Sequence, residues 1–159
     1  MVLLQMEAPR HSPVEFVARY YVYAKETERK TGIDARFILA QAALESGWGA
    51  SAPGYLFFGI KAGPNTPGNR RQLVRTREVH ATANKKFPDI LSIKKMKSGK
   101  YEYIVRDWFR KYDTPEESFS DHARLLIGNE RYAKALNEKH DPYRFAEAIA
   151  KAGYATHPF

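Results

Sequence analysis

Phe37-Ile38-Leu39-Ala40-Gln41-Ala42-Ala43-Leu44-Glu45-Ser46-Gly47-Trp48-Gly49 is the stretch on which the reading of this chain turns. Phe37, Ile38, Gln41, Ala42, Leu44 and Glu45 fall on adjoining stripes at helical spacing. Asp34 is placed to cap the helix, and Gly47 to stop it. Glu45 therefore closes a helix, where the negative end of the dipole disfavours a carboxylate. Its neighbours Leu44 and Trp48 are apolar, and a carboxyl stripped of water has a raised pKa. Both effects favour an acid still protonated near neutrality, the kind of group that protonates a leaving oxygen. Spacing alone also admits a plain alternative, a solvated glutamate at a helix end.

On the N-terminal side, Ser12-Pro13-Val14-Glu15 has the form of a capping box with proline at the first helical position. Phe16, Val17, Tyr20 and Ala24 follow at helical spacing, and Gly32 ends the run. On the C-terminal side, residues 47–68 hold six of the ten glycines together with Pro53, Pro64 and Pro67. They predict a long irregular loop, ordered by Trp48, Tyr55, Phe57, Phe58 and Ile60. Residues 72–112 predict strands: one over 73–79, one over 101–105, a hairpin turn at Ser98-Gly99, and a lysine-rich edge strand at 93–97. Thr114-Pro115-Glu116-Glu117 begins another helix, with Phe119, Ala123, Leu126 and Ile127 as its buried side. A short helix follows around 132–136, and a last one starts at Asp141-Pro142, anchored by Phe145 and Ile149. Helices, loop, small sheet, then helices indicate an α+β protein with two lobes, read as one domain over 1–159 with a β-lobe at about 70–112.

The 159 residues suit one domain with a real core. There is no uninterrupted apolar run of ~18 residues, so no membrane insertion is expected. Residues 1–7 lack the basic start and apolar run of a secretory signal. The absence of cysteine excludes disulfides, thiolate metal sites and cysteine nucleophiles. A net charge of +8 and a pI near 9.6 favour a polyanionic partner. His11, His80, His122, His140 and His157 show no paired metal-ligand spacing and read as scattered surface or packing residues. No Gly-Lys-Ser/Thr phosphate loop is present. Neither metal nor cofactor is expected.

The stretch 37–49 closely resembles the catalytic helix of family 73 glycoside hydrolases. Phe58-Gly59-Ile60-Lys61 resembles that family's Asn-Leu-Phe-Gly-Ile-Lys segment, with Leu56 departing from the asparagine. Residues 109–122, Tyr132-Ala133-Lys134-Ala135-Leu136 and Ala152-Gly153-Tyr154-Ala155-Thr156-His157-Pro158 resemble its later motifs, in order. The resemblance implies a lysozyme-like fold, mainly a helical lobe with a small antiparallel β-lobe flanking a substrate cleft. It implies endo-β-N-acetylglucosaminidase activity on peptidoglycan, with Glu45 as the proton donor. Glu78 falls where the family places a second acidic residue, and if 73–79 is a strand then Val74, Thr76, Glu78 and His80 share a face. The alternative for Glu78 is a solvated glutamate paired with Arg75 or Arg77. Tyr132 and Tyr154 fall on positions that the family ties to its cleft, where a tyrosine can hydrogen-bond a sugar; packing between helices is the alternative. Trp48 and Phe58 are read either as sugar-stacking rings or as the cleft floor. Asp113 is expected to help cap the helix at Thr114, and Asp121 to be structural or solvent-facing.

The expected partner is the glycan strand of peptidoglycan, bound by a monomer in the cell envelope, reached by a route not visible in the sequence. The rivals are a lytic transglycosylase or muramidase acting on the same glycan, an inactive wall-binding module, and a nucleic-acid binder suggested only by charge. The last has no aromatic-basic motif to support it.

Overall fold

A computed structural model describes residues 11–154; residues 1–7, His157 and the 155–158 part of the closing motif lie outside them. The chain divides into a helical unit, built from residues up to Gly59 and from Tyr112 onward, and a sheet unit over Ile60–Lys111.

In the helical unit α1 spans Pro13–Thr31. The Ser12 hydroxyl accepts the Glu15 backbone N–H at 3.1 Å, and Gly32 ends the helix at φ 77°, a conformation that favours glycine. The Glu15 carboxylate turns to Arg19 at 2.5 Å. Phe16 and Ala24 are buried as expected, but Val17 is 43% exposed, because the apolar stripe is narrower than its spacing suggested. Helix α2 spans Ala35–Ser46, capped by Asp34 and stopped by Gly47. Helix α3 spans Pro115–Gly128, with the Thr114 hydroxyl accepting the Glu117 N–H at 3.2 Å. Asp113 donates its backbone N–H to the Glu117 carboxylate at 3.0 Å, within the same cap. Ile127, expected on the buried side, is 41% exposed. The predicted helix around 132–136 is instead two 3-10 turns, Glu130–Tyr132 and Ala135–Glu138. Helix α4 spans Pro142–Lys151 and buries Phe145 and Ile149.

The loop after α2 is ordered by apolar burial. Leu56, Phe57 and Phe58 are all buried. Phe57 packs on Tyr20 of α1 at 5.1 Å and on Phe119 of α3 at 5.2 Å between ring centroids. Leu56, where the family has asparagine, is 6% exposed, so packing occupies the place of a polar side chain. A buried hydrogen bond of 3.2 Å between Thr27 and Ser120 ties α1 to α3.

The sheet unit has strands β1 Arg71–His80, β2 Asp89–Lys95 and β3 Tyr101–Arg110, ordered β1-β3-β2 with both pairs antiparallel. The lysine-rich strand is an edge, as predicted. Its turn back to β3 is closed by Gly99 at φ 87°, whose N–H reaches the Met96 carbonyl. Along β1, half-buried residues alternate with exposed ones: Val74, Thr76, Glu78 and His80 lie on one face, and Leu73, Arg75, Arg77 and Val79 on the other. Tyr103, Val105 and Phe109 of β3 are buried on the Glu78 face.

Phe57→Ala is expected to lower the unfolding free energy by about 3–5 kcal/mol, the usual cost of emptying a buried phenylalanine site. Leu44→Ala, at a position 78% exposed, should change it by less than about 0.5 kcal/mol. Urea titrations of the two variants measure both.

Candidate active site

The glutamate that closes α2 is held by a tight local turn. Gly47, Trp48 and Gly49 have φ of 58°, 58° and 84°, three consecutive left-handed residues. Glycine takes this conformation freely, while Trp48 is strained in it and needs support. Buried Ser46 supplies that support: its hydroxyl donates to the Ala42 carbonyl at 2.6 Å and accepts the Gly49 N–H at 2.9 Å. The turn fixes Glu45 in the last helical turn.

Glu45 reaches the surface, yet the protein packed about its carboxyl raises its pKa by desolvation. Hydrogen bonds from Tyr154 and Gln41 to Oε2, at 2.7 and 3.0 Å, offset part of that rise. Leu44 is not the desolvating neighbour, because it faces solvent at 78% exposure. Trp48 turns its ring edge-on to Phe16 at 5.8 Å and keeps 41% of its surface open.

Behind Tyr154 stands a buried chain of rings. His122 is 2% exposed, and its Nε2 lies 2.7 Å from the Tyr154 hydroxyl. Burial pushes the imidazole pKa down to about 3, so the ring is neutral. Phe58 stacks on it at 3.7 Å and 5°. Burial and the Glu45 charge push the Tyr154 phenol up, so it keeps its single proton. With that proton given to Glu45, His122 must carry its own proton on Nε2 and donate it to the Tyr154 oxygen.

The expected site residues thus take different places. Glu45 and Tyr154 meet directly. Tyr132 is fully buried and meets Tyr154 ring to ring, with 6.2 Å between centroids. Phe58, 7% exposed and stacked on His122, is a packing ring with little face left for a sugar. Asp121 is structural, accepting the Tyr112 hydroxyl at 2.5 Å. His122 does pack, as a scattered histidine would, but it also holds the Tyr154 hydroxyl. Its sequence signal was its lodging on the buried side of α3, three residues after Phe119.

In the sheet unit Glu78 is not paired with Arg75 or Arg77, the latter being bound to Glu102 at 2.8 Å. Lys61 lies 2.8 Å from Glu78 Oε2, and His80 Nε2 lies 2.9 Å from Oε1. Lys61 also reaches Asp107, at 3.1 Å. Burial pushes the Glu78 carboxyl up, but the hydrogen bonds and charges of Lys61 and His80 outweigh it and hold the pKa below its ordinary value. Lys61, His80 and Asp107 are site neighbours that spacing did not single out. Lys61 sits in the quoted Phe58-Gly59-Ile60-Lys61 motif and His80 two residues after Glu78 on one face; Asp107 shares that face only through strand register. One carboxyl is therefore disposed to hold a proton and the other to stay ionised.

The sequence profile of the glucosaminidase family, described as mannosyl-glycoprotein endo-beta-N-acetylglucosaminidase, matches residues 21–159. The peptidoglycan hydrolase FlgJ of Pseudomonas aeruginosa is 33% identical over 151 residues, covering 91% of this chain and 33% of that protein. The autolysin of Enterococcus faecalis is 31% identical, covering 95% of this chain and 19% of its own length. A crystal structure of a peptidoglycan hydrolase mutant from Sphingomonas sp. A1 superposes with a TM-score of 0.63 at 35% identity, covering 90% of this chain and 84% of that one. This chain spans about a third of the Pseudomonas protein's length. With that match in sequence and in fold, the lysozyme-like α+β chain belongs to the glucosaminidase family of glycoside hydrolases.

Proposed function

We propose that the protein hydrolyses the β-1,4 bond between N-acetylglucosamine and N-acetylmuramic acid in bacterial peptidoglycan, with Glu45 as general acid. The observation that carries this reading is the Glu45 carboxyl itself: desolvated at the negative end of α2, it has a raised pKa and one hydroxyl, Tyr154, aimed at it. A pair of carboxyls whose surroundings push their pKa values apart is the signature of an acid and its ionised partner.

In the proposed reaction the Glu45 proton passes to the glycosidic oxygen as its bond to C1 of the sugar breaks. Water supplies hydroxide to C1, and the proton it loses passes to Glu78, which releases it to solvent as Glu45 takes one up. Lys61 and His80 keep Glu78 ionised between turnovers. Tyr154 aims its hydroxyl at Glu45 and is itself held by His122; Tyr132 supports its ring. Trp48, with its open face, is the aromatic offered for sugar contact. Both units belong to one functional domain in this reading, acting on glycan strands in the cell envelope.

A muramidase reading has one observation of its own. A probable N-acetylmuramidase of Lactococcus lactis is 29% identical, covering 96% of this chain. Digestion of peptidoglycan followed by borohydride reduction separates the two. Reduced N-acetylglucosamine at the new end is the expected product; reduced N-acetylmuramic acid assigns the other bond, and an anhydro end assigns a lytic transglycosylase.

Glu45→Gln should lower kcat by about 10²–10⁴-fold, the usual contribution of a positioned proton donor, with the fold retained by circular dichroism. Tyr154→Phe removes a donor that favours ionised Glu45, so the acid pKa rises and the alkaline limb of kcat/KM moves to higher pH. Lys61→Ala removes a charge that favours ionised Glu78, so the base pKa rises and the acidic limb also moves to higher pH. pH profiles measure both, and an unmoved acidic limb in Lys61→Ala rules out Glu78 as the base.

A further inference from the structure

The charge of the chain is not spread evenly. Residues 60–111 hold 14 of the 26 Lys+Arg and 4 of the 18 Asp+Glu, a net +10, while the rest of the chain is at −2. Within the sheet unit the pleat sorts these charges. The face opposite to that of Glu78 carries Arg71, Arg75 and Arg77 on β1, Arg106 and Arg110 on β3, and Lys94 on β2, against only Glu102 and Asp89.

Two features of this face concentrate its positive charge. Arg71 stands directly opposite Arg110, and Arg75 directly opposite Arg106. Like charges opposite each other on neighbouring strands destabilise a sheet. Asp89 pairs with Arg106 and Glu102 with Arg77, which leaves Arg75 exposed beside a like charge. The two arginine pairs lie four residues apart, about 13 Å along the strands. Five of the six cations are arginines, whereas the adjoining edge and turn use Lys94, Lys95, Lys97 and Lys100. A planar guanidinium grips a carboxylate through two parallel hydrogen bonds, which an ammonium cannot do. Arg71 covers a face of Trp108 at 4.2 Å, so that ring is occupied and not free to stack on a nucleic-acid base.

We propose that this arginine face is a docking surface for the carboxylates of the peptide stems of peptidoglycan, on the side of the sheet away from Glu78. The proposal rests on peptidoglycan being the substrate, and it adds a second point of attachment to the wall. Stem carboxylates recur along the glycan, so a face with cation pairs at intervals can engage more than one at once.

The test is Arg75→Glu, which puts an opposite charge across from Arg106, with Arg75→Lys as the conservative control. Binding is measured to intact sacculi, to sacculi whose carboxylates have been capped as methylamides by carbodiimide coupling, and to a DNA duplex. The expected result is that Arg75→Glu binds intact sacculi roughly tenfold more weakly near 0.1 M salt, where the Debye length is about 10 Å, while its Tm equals or exceeds that of wild type. Arg75→Lys should fall between, and wild type should bind capped sacculi as weakly as Arg75→Glu binds intact ones. Equal wild-type binding to intact and capped sacculi would overturn the proposal, as would a Tm that falls with binding. A larger loss on DNA than on sacculi would reassign the face to nucleic acid. Wild-type hydrolysis of the capped sacculi is read separately: its absence counts against the glucosaminidase reading, and the binding comparison still decides the docking surface.

Discussion

The hydrogen bond of 2.7 Å from the Tyr154 hydroxyl to Glu45 joins residues 109 positions apart, and the arrangement of the helical unit can be understood as what brings and keeps them together. Glu45 stands where it does because α2 ends in a left-handed turn clamped by Ser46. Tyr154 follows α4, which is fastened to α2 by Phe145 against Phe37 at 4.7 Å. Between the two, His122 is buried and neutral and lies against the phenol, and Phe58 covers its ring. A charged imidazole there would pull at the phenol oxygen and shift the proton balance at Glu45. Apolar packing several residues away thus sets the acidity of one surface carboxyl.

The helix boundaries were legible in the sequence because caps act locally. Ser12, Asp34, Thr114 and Asp141 each accept a backbone N–H two or three residues on, so a short window contains the whole interaction. Strand alternation from Val74 to His80 was legible for the same reason. Burial was less so. Val17, Leu44 and Ile127 have the spacing of core residues but stand exposed, since which side of a helix is covered depends on elements distant in sequence. The 3-10 turns after α3 escaped because a stretch such as Tyr132-Ala133-Lys134-Ala135-Leu136 has helical propensity throughout, and only its tertiary setting tightens it.

The site divides along the same line. Glu45 was legible from its place at a helix end and from its motif. The source of its desolvation was not, since the apolar neighbours in sequence turn away from it and the groups that touch it, Gln41 apart, come from the far end of the chain. Glu78 was legible as a strand residue on the right face. Its partner Lys61 comes from 17 residues before it, and Asp107, which Lys61 also reaches, from 29 after it; an isolated bridge between Lys61 and Phe109 of β3 brings the lysine within reach. Electrostatic pairing is long-range in sequence even where it is short-range in space.

The contrast between the two carboxyls follows from what accompanies burial in each case. Both lose water, which alone would raise both pKa values. Glu45 receives in return only neutral donors, a phenol and an amide, which do not make up the loss. Glu78 receives a lysine ammonium and an imidazole, and a full charge at 2.8 Å outweighs the desolvation. That lysine belongs to a sheet unit rich in cations, so the same surplus of positive charge that crowds the face opposite to Glu78 also supplies the charge that keeps Glu78 ionised. A unit with balanced charge would still fold as a three-stranded sheet. Without Lys61, however, Glu78 would drift toward the protonated state, and the two carboxyls would lose their difference in character.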